Sequence, residues 1–384
     1  MSRDGSEGAL AMKGANPPKA PASSIAFPLL SLILIALLRV MGDALWAGPA
    51  WLGVVVPGLA TLALVGTSVA ASHHAEVIAA RLAEPLGTLV LTLSVTVIEV
   101  AIITSAMLHD ANNPTLARET VFSVIMVICT GVAGLSLLIG ALRYREQDLQ
   151  PQGTSAFLAV LMALSVLTLV LPNFTATALS STFSPAQLAF VSAVSILLYG
   201  AFLFIQTVRH RTDFLEVGER RDGQAAEGMP SNRRTLASCV WLLASLAGVV
   251  LLAKWVGAGV EDALVGLALP QPDAMEGALI ALLILLPEAM HAVHAAARNA
   301  IQSSLNTALG SALAAIGLII PAVAAVSLAT GREIVLGLDM RESVLLLLTL
   351  GLSVVGFGTG RTNMMTGLVL LVVFATYVLL LFVP

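Results

Sequence analysis

At 384 residues, of which 58% are hydrophobic and only 11% charged, the chain carries more apolar surface than a water-soluble core of this size hides. That excludes a soluble enzyme or a nucleic-acid partner and defines an all-α polytopic membrane protein with membrane lipid around it. The formal net charge of −4 says little about partners, because local Lys/Arg bias decides how such a chain sits in a bilayer.

The first 24 residues hold Pro17, Pro18 and Pro21 among Gly and Ser without periodicity, and read as a disordered cytoplasmic tail. Asp43, Trp46 and Pro49 after the first apolar stretch make a poor cleavage site, so that stretch reads as a membrane helix and not a signal peptide. Eleven apolar segments follow in all, each near the ~20 residues that cross ~30 Å of hydrocarbon as a helix. They run from Ile25 to Met41, Ala50 to Ser72, Pro85 to Leu108, Glu119 to Leu142, Thr154 to Pro172 and Pro185 to Val208. After a polar interruption they resume from Thr235 to Val256, Gly277 to Ala297, Ile301 to Leu328, Ser343 to Val355 and Thr362 to Val383. The tenth has the shortest apolar core, and its start reaches back toward Ile334. Continuous runs of Leu, Ala and Val argue against a barrel, whose strands alternate.

With the N-terminus inside, cytoplasmic segments hold 14 Lys/Arg and outside segments five, namely Arg39, Arg118, Lys254, Arg332 and Arg341. This bias, with an odd helix count, predicts a cytoplasmic N-terminus and a periplasmic C-terminus in a bacterial inner membrane. Cys129 is expected mid-membrane and Cys239 near the cytoplasmic end of its helix, unpaired, with no metal or redox spacing.

The longest polar segment, 209–234, carries six Arg with Asp213, Glu216, Glu219, Asp222 and Glu227. It divides the chain into a tail (1–24), a leading helix and loop (25–49), a five-helix repeat (50–208), this cytoplasmic loop and a second five-helix repeat (235–384). A five-helix unit repeated in tandem enters the membrane from opposite sides, so the halves are expected to be inverted repeats, a common transporter architecture.

Within this frame two glutamates stand out. Glu99 is the only charged residue between Pro85 and Leu108, and Glu288 follows the uncharged run Gly277 to Pro287. At roughly 2.5 to 3.5 kcal/mol for an acidic residue at a helix centre, the pair costs about 5 to 7 kcal/mol before compensation. Each lies in the second helix of its repeat, which points to two carboxylates converging on one ion or proton site. Thr88, Thr92, Thr96 and Glu99 form one stripe, and hydroxyl oxygens beside a carboxylate suit hard cations such as Ca2+ or Na+. The competing account has each threonine bonding back to its own helix. Pro287 frees the Leu283 carbonyl four residues earlier, a second candidate oxygen ligand; a plain kink is the alternative.

Polar and small residues recur on the following helices: Glu119, Ser123, Thr130 and Gly134 on the fourth, Gln302, Asn306, Gly310, Ser311 and Gly317 on the ninth. Asn306 is a candidate ligand, and Ser123, Thr130, Gln302, Gly310 and Ser311 candidates for lining the pathway, with close packing the other reading. Glu119 reads either as a proton relay or as a solvated helix N-terminus. His291 shares the face of Glu288 and is a candidate proton relay, whereas His294 points away; a Glu288, His291, His294 metal site lacks the second half of a di-iron set. His73, His74, Glu76, Arg81 and Glu84 read as a solvated cytoplasmic segment.

A carboxylate in a low-dielectric site tends to hold a proton, while a cation beside it favours the ionised form. Binding of proton and cation on Glu99 and Glu288 is thus competitive, and if only a charge-compensated site changes its facing, each cycle exchanges one for the other.

The run Glu84-Pro85-Leu86-Gly87-Thr88-Leu89-Val90-Leu91-Thr92-Leu93, continued by Val95-Thr96-Val97-Ile98-Glu99-Val100, resembles the first signature of the ChaA-type branch of the calcium/cation antiporter (CaCA) superfamily. Leu286-Pro287-Glu288 with Ala296-Ala297-Arg298-Asn299, Ser304-Leu305-Asn306 and Ala308-Leu309-Gly310-Ser311-Ala312-Leu313 resembles its second. The resemblance implies eleven helices, inverted repeats and exchange of Ca2+, or Na+ and K+, for protons, with no cofactor beyond the transported cation and no enzymatic turnover. Glu99 and Glu288 then match the superfamily's paired acidic residues. Its usual Gly-Asn-x-x-Glu is absent, since Val95-Thr96 and Ile284-Leu285 stand where Gly-Asn would fall. That removes two amide oxygens and leaves monovalent ions open beside Ca2+. The alternatives are a proton-coupled carrier of another substrate and a membrane-embedded metalloenzyme.

Overall fold

The computed structural model describes residues 21–46, 52–79, 81–82, 94, 96–104, 113–176, 181–216, 230–266 and 271–383. Eleven helices cross this set: α1 (Ser23–Trp46), α2 (Leu52–Ala79), α3 (96–104), α4 (Leu116–Tyr144), α5 (Pro151–Phe174) and α6 (Pro185–Arg209). The second group is α7 (Asn232–Gly266), α8 (Pro272–Ala297), α9 (Ile301–Thr330), α10 (Met340–Phe357) and α11 (Met364–Phe382). Ten of them are long and apolar enough to span a bilayer; of the third only a part is described. Thr88, Thr92 and the block Glu84–Leu93 lie outside the described residues, as do most of the tail and 217–229 of the central loop.

Local chemistry starts these helices where the sequence places punctuation. Ser184 and Gln187 close a capping box ahead of Pro185, Asp339 and Glu342 do the same for α10, and Asn363 accepts from the Thr366 amide at α11. Pro151 and Pro272 open α5 and α8, where a missing N–H is harmless. The Asp339 cap explains why the tenth helix begins at Met340 and not near Ile334.

Other boundaries differ from expectation. α2 runs through His73 and His74 to Ala79 in place of a solvated segment. His74 is buried, donating from Nε2 to the Ser24 carbonyl (3.0 Å), with Ser238 Oγ 3.3 Å from its Nδ1. The imidazole thereby ties α1, α2 and α7 together. α7 is longer than its apolar core, extending from Asn232 to Gly266.

With α1 set aside, the two groups of five helices pack in matching ways. α2 packs on α7, α4 on α11 and α9 on α6, with α4 and α9 the most buried spans. α4 carries a π-helical turn at Val127–Val132 and α9 one at Ala315–Ile319, a feature that locally re-aims side chains. Close approach depends on glycine at both crossings. A Cβ on Gly134 would meet the Gly367 carbonyl at 3.1 Å, and one on Gly317 would meet Tyr199 at 3.0 Å.

The two ends of the bundle differ. At the end where α6 stops and α7 starts, a short antiparallel pair joins Gln147–Asp148 to Arg361–Thr362. There Arg81 donates to the Pro230 carbonyl (2.6 Å) and Arg143 to that of Ala297 (3.0 Å). At the opposite end, residues 332–339 run as a non-helical strap. Val335 N donates to Pro114 O (3.0 Å), Leu338 N to Leu169 O (2.8 Å) and Asn173 Nδ2 to Leu338 O (2.6 Å). Arg118, buried, clamps the strap through the Gly337 carbonyl (2.5 Å) and Asp339 (3.7 Å) while pairing with Glu119 (2.9 Å).

Candidate functional site

A cavity of about 430 Å³ penetrates the bundle between α2, α3, α6, α8 and α9. Its deep wall holds Thr96 and Glu99 from α3, Pro287 and Glu288 from α8, and Gly310 and Ser311 from α9. Its rim holds Glu76, His291 and Arg211, all exposed. The rim lies at the ends of α2, α6 and α8, so the cavity opens on the side bearing the central loop and is shut on the side of the 332–339 strap.

Glu99 is only 1% exposed, and it lines the same cavity as Glu288. Glu99 Oε1, Glu288 Oε2 and Ser311 Oγ are buried and lack a hydrogen-bond partner among the described residues. A buried polar atom without a partner costs about 1–3 kcal/mol, more when charged. Three such oxygens facing one cavity form an arrangement that a bound cation or proton would complete, and oxygen donors suit hard cations.

The structure brings Thr96, Glu99, Pro287, Glu288, His291, Asn306, Gly310 and Ser311 to one cavity. Asn306, expected as a ligand, has both amide atoms engaged: Oδ1 accepts from Gln302 Nε2 (2.9 Å) and Nδ2 donates to the Phe214 carbonyl (2.6 Å). In this conformation it braces the segment after α6. Leu283 does not line the cavity, nor does His294.

Three expected pathway residues, and the relay candidate Glu119, lie elsewhere. Gln302 is buried and accepts from the Gln150 amide (2.9 Å). Thr130 bonds back to the Met126 carbonyl of its own helix, and Ser123 is held by the Tyr377 hydroxyl (2.8 Å). Glu119 is not a solvated N-terminus; it is buried against Arg118, and a Cβ on Gly277 would approach its Cβ to 2.7 Å. Position on a helix face cannot distinguish a wall of the cavity from a helix contact, and these residues belong to the contact.

Sequence reasoning missed Ser72, Glu76, Tyr199, Gln206, Thr207 and Arg211, which also line the cavity. The i, i+4 spacing of Ser72 and Glu76, which puts both on one face of α2, was a readable signal. A lone Tyr199 in the run Pro185–Phe204 was another, because a buried phenol needs a polar environment.

Eleven helices, five of which enclose a cavity with two glutamates on its deep wall, make this a multi-pass membrane protein. A family model described as sodium/calcium exchanger protein matches twice, over residues 52–208 and 237–383, five helices each, and the chain belongs to that family. A putative ionic transporter, y4hA of Sinorhizobium fredii, is 44% identical over 322 residues, covering 84% of this chain and 87% of the relative. The sodium-potassium/proton antiporter ChaA of Escherichia coli K12 is 34% identical over 365 residues, covering 94% and 96%. The fold is shared with the solved structure of YfkE (TM-score 0.70, 17% identity, 93% of this chain and 100% of that one). It is also shared with the H+/Ca2+ exchanger CAX (TM-score 0.68, 16% identity, 93% and 89%). The family is one of cation transporters and not of enzymes.

Proposed function

We propose that the protein is a secondary active antiporter that exports Ca2+, or Na+ and K+, in exchange for protons, with Glu99 and Glu288 binding the two competitively. The observation that carries this is the trio of partnerless buried oxygens on Glu99, Glu288 and Ser311 in one cavity. Two facing carboxylates in a low-dielectric site are strongly unfavourable when both are ionised and bare. Each is neutralised by a proton or compensated by a cation, so the site is charge-balanced in two alternative loadings. Thr96 adds a hydroxyl on the Glu99 face and Ser311 another from α9.

Alternating access follows from the two ends of the bundle. The cavity opens toward the central loop, which the Lys/Arg bias makes cytoplasmic, with the C-terminus periplasmic and the protein in a bacterial inner membrane. The Arg118 clamp and the 332–339 strap shut the other end. Inverted repeats let the same packing be exchanged between ends, so the site meets one side at a time. The names of two similar proteins, a sodium-potassium/proton antiporter and an H+/Ca2+ exchanger, support the substrate class.

The test is proton movement in proteoliposomes holding a pH-sensitive dye, with Ca2+, Na+ and K+ added separately. Cation-driven proton flux with at least one ion is expected. No flux with any of the three overturns the reading.

A further inference from the structure

Beyond the paired glutamates, one other carboxylate among the described residues lines the cavity. Glu76 lies near the end of α2, exposed at the rim, with Ser72 one turn deeper on the same face. On α8 His291 lines the same rim, three residues from Glu288. Glu76 and His291 thus share the rim, and Glu288 lies about one turn deeper on α8. The remaining charge at the rim is Arg211, in the short helical turn Arg211–Phe214. That turn is anchored and not loose: the Phe214 ring packs on Phe157 and Phe202 (centroids 5.5 and 5.9 Å), and Ser303 N donates to Glu216 (2.7 Å) just beyond it. Arg211 thus holds a set position on the wall. His73, His74, Arg81 and Arg234 also stand near this end of α2, and none of these four lines the cavity.

We infer that Glu76 is an outer cation subsite, which collects the transported cation at the mouth and passes it by His291 to Glu288, with Arg211 opposing it. This rests on the antiport reading of the deep site. Its physical basis is that a carboxylate in a cleft with low-dielectric walls concentrates cations, raising capture by roughly 10- to 1,000-fold in strongly focused cases. A single partly solvated charge falls below that range, at about 3-fold for a monovalent ion. The enrichment follows a Boltzmann factor in ion charge, so a divalent cation feels the square of the effect on a monovalent one. Removing Glu76 should then raise the half-saturating concentration by about 3-fold for Na+ or K+ and by about 9-fold for Ca2+. A merely structural role would not scale with valence.

The experiment compares the intact protein with Glu76→Gln, Glu76→Asp and Arg211→Gln in proteoliposomes on a supported membrane. Cation concentration jumps report charge displacement as the ion enters the cavity, and a pH dye reports exchange. Glu76→Gln should raise half-saturation in the valence-squared pattern with a smaller effect on maximal rate, and Glu76→Asp should restore most of it. Arg211→Gln should shift half-saturation the opposite way. Choline chloride should compress both shifts by screening. Unchanged half-saturation in Glu76→Gln, a shift of equal size for Na+ and Ca2+, or the same direction of shift in Arg211→Gln overturns the inference. Charge displacement without proton flux in the unmodified protein would sink the antiport reading while leaving the Glu76 subsite to be judged on displacement. No displacement with any cation would overturn both.

Discussion

Replacing Glu288 by Gln isolates the charge of the deep site from its shape. The amide keeps the volume but neither ionises nor carries a proton between the two loadings. Glu288 Oε2 has no hydrogen-bond partner among the described residues, so the substitution breaks no protein contact of that oxygen. Removing a bare buried charge also lightens the desolvation penalty of the empty site. The apo protein should therefore melt at the same temperature or slightly higher. Cation binding changes far more. A unit charge at ~4 Å in an effective dielectric of ~20 is worth about 4 kcal/mol, or about 1,000-fold in affinity for a monovalent cation. Proteoliposome flux should fall to background, and the rise in melting temperature that saturating cation gives by binding only the folded state should vanish. Glu288→Gln with cation-driven proton flux and a half-saturation within about threefold of the unmodified protein would refute the two-carboxylate mechanism.

Further outcomes follow from neighbouring observations. Glu119→Gln should lower stability by about 1.5–3 kcal/mol, because it strips a charged partner from buried Arg118, while affecting cation half-saturation less than Glu288→Gln does; thermal melts alongside flux assays check both. Gly277→Ala should destabilise by about 1–3 kcal/mol by wedging α8 from α4, since its Cβ would sit 2.8 Å from the Glu119 backbone, read by thermal melting. Thr96→Val should weaken cation binding by about tenfold through loss of one hydroxyl oxygen, and Thr96→Asn should shift preference toward Ca2+, whose six to eight ligands reward an added carbonyl; competition between Ca2+ and Na+ in the flux assay decides it. A cysteine placed in 209–234 and a tag after Pro384 should be accessible from opposite sides, cytoplasm and periplasm; finding both on one side would break the odd helix count.

By itself the sequence determined what depends on composition and one-dimensional pattern. Membrane insertion, helix number and the two costly glutamates were all legible, because a bilayer imposes a length and polarity rule on every segment in turn. Thr96, Glu99, Glu288, His291 and Ser311 could be singled out for the same reason: a polar atom in an apolar helix needs an explanation. Only the tertiary structure decided which polar faces meet. Glu119, Ser123, Thr130 and Gln302 carry the same one-dimensional signal as Ser311, yet they are spent on Arg118, Tyr377, a helix carbonyl and the Gln150 amide. Conversely Glu76 looked like part of a solvated loop until α2 was seen to continue past His74 and carry it to the cavity rim. Helix periodicity gives the direction of a side chain about its own axis, but not the neighbour waiting there. That neighbour is set by crossings at residues such as Gly134, Gly277 and Gly317, where the absence of a side chain lets two backbones approach.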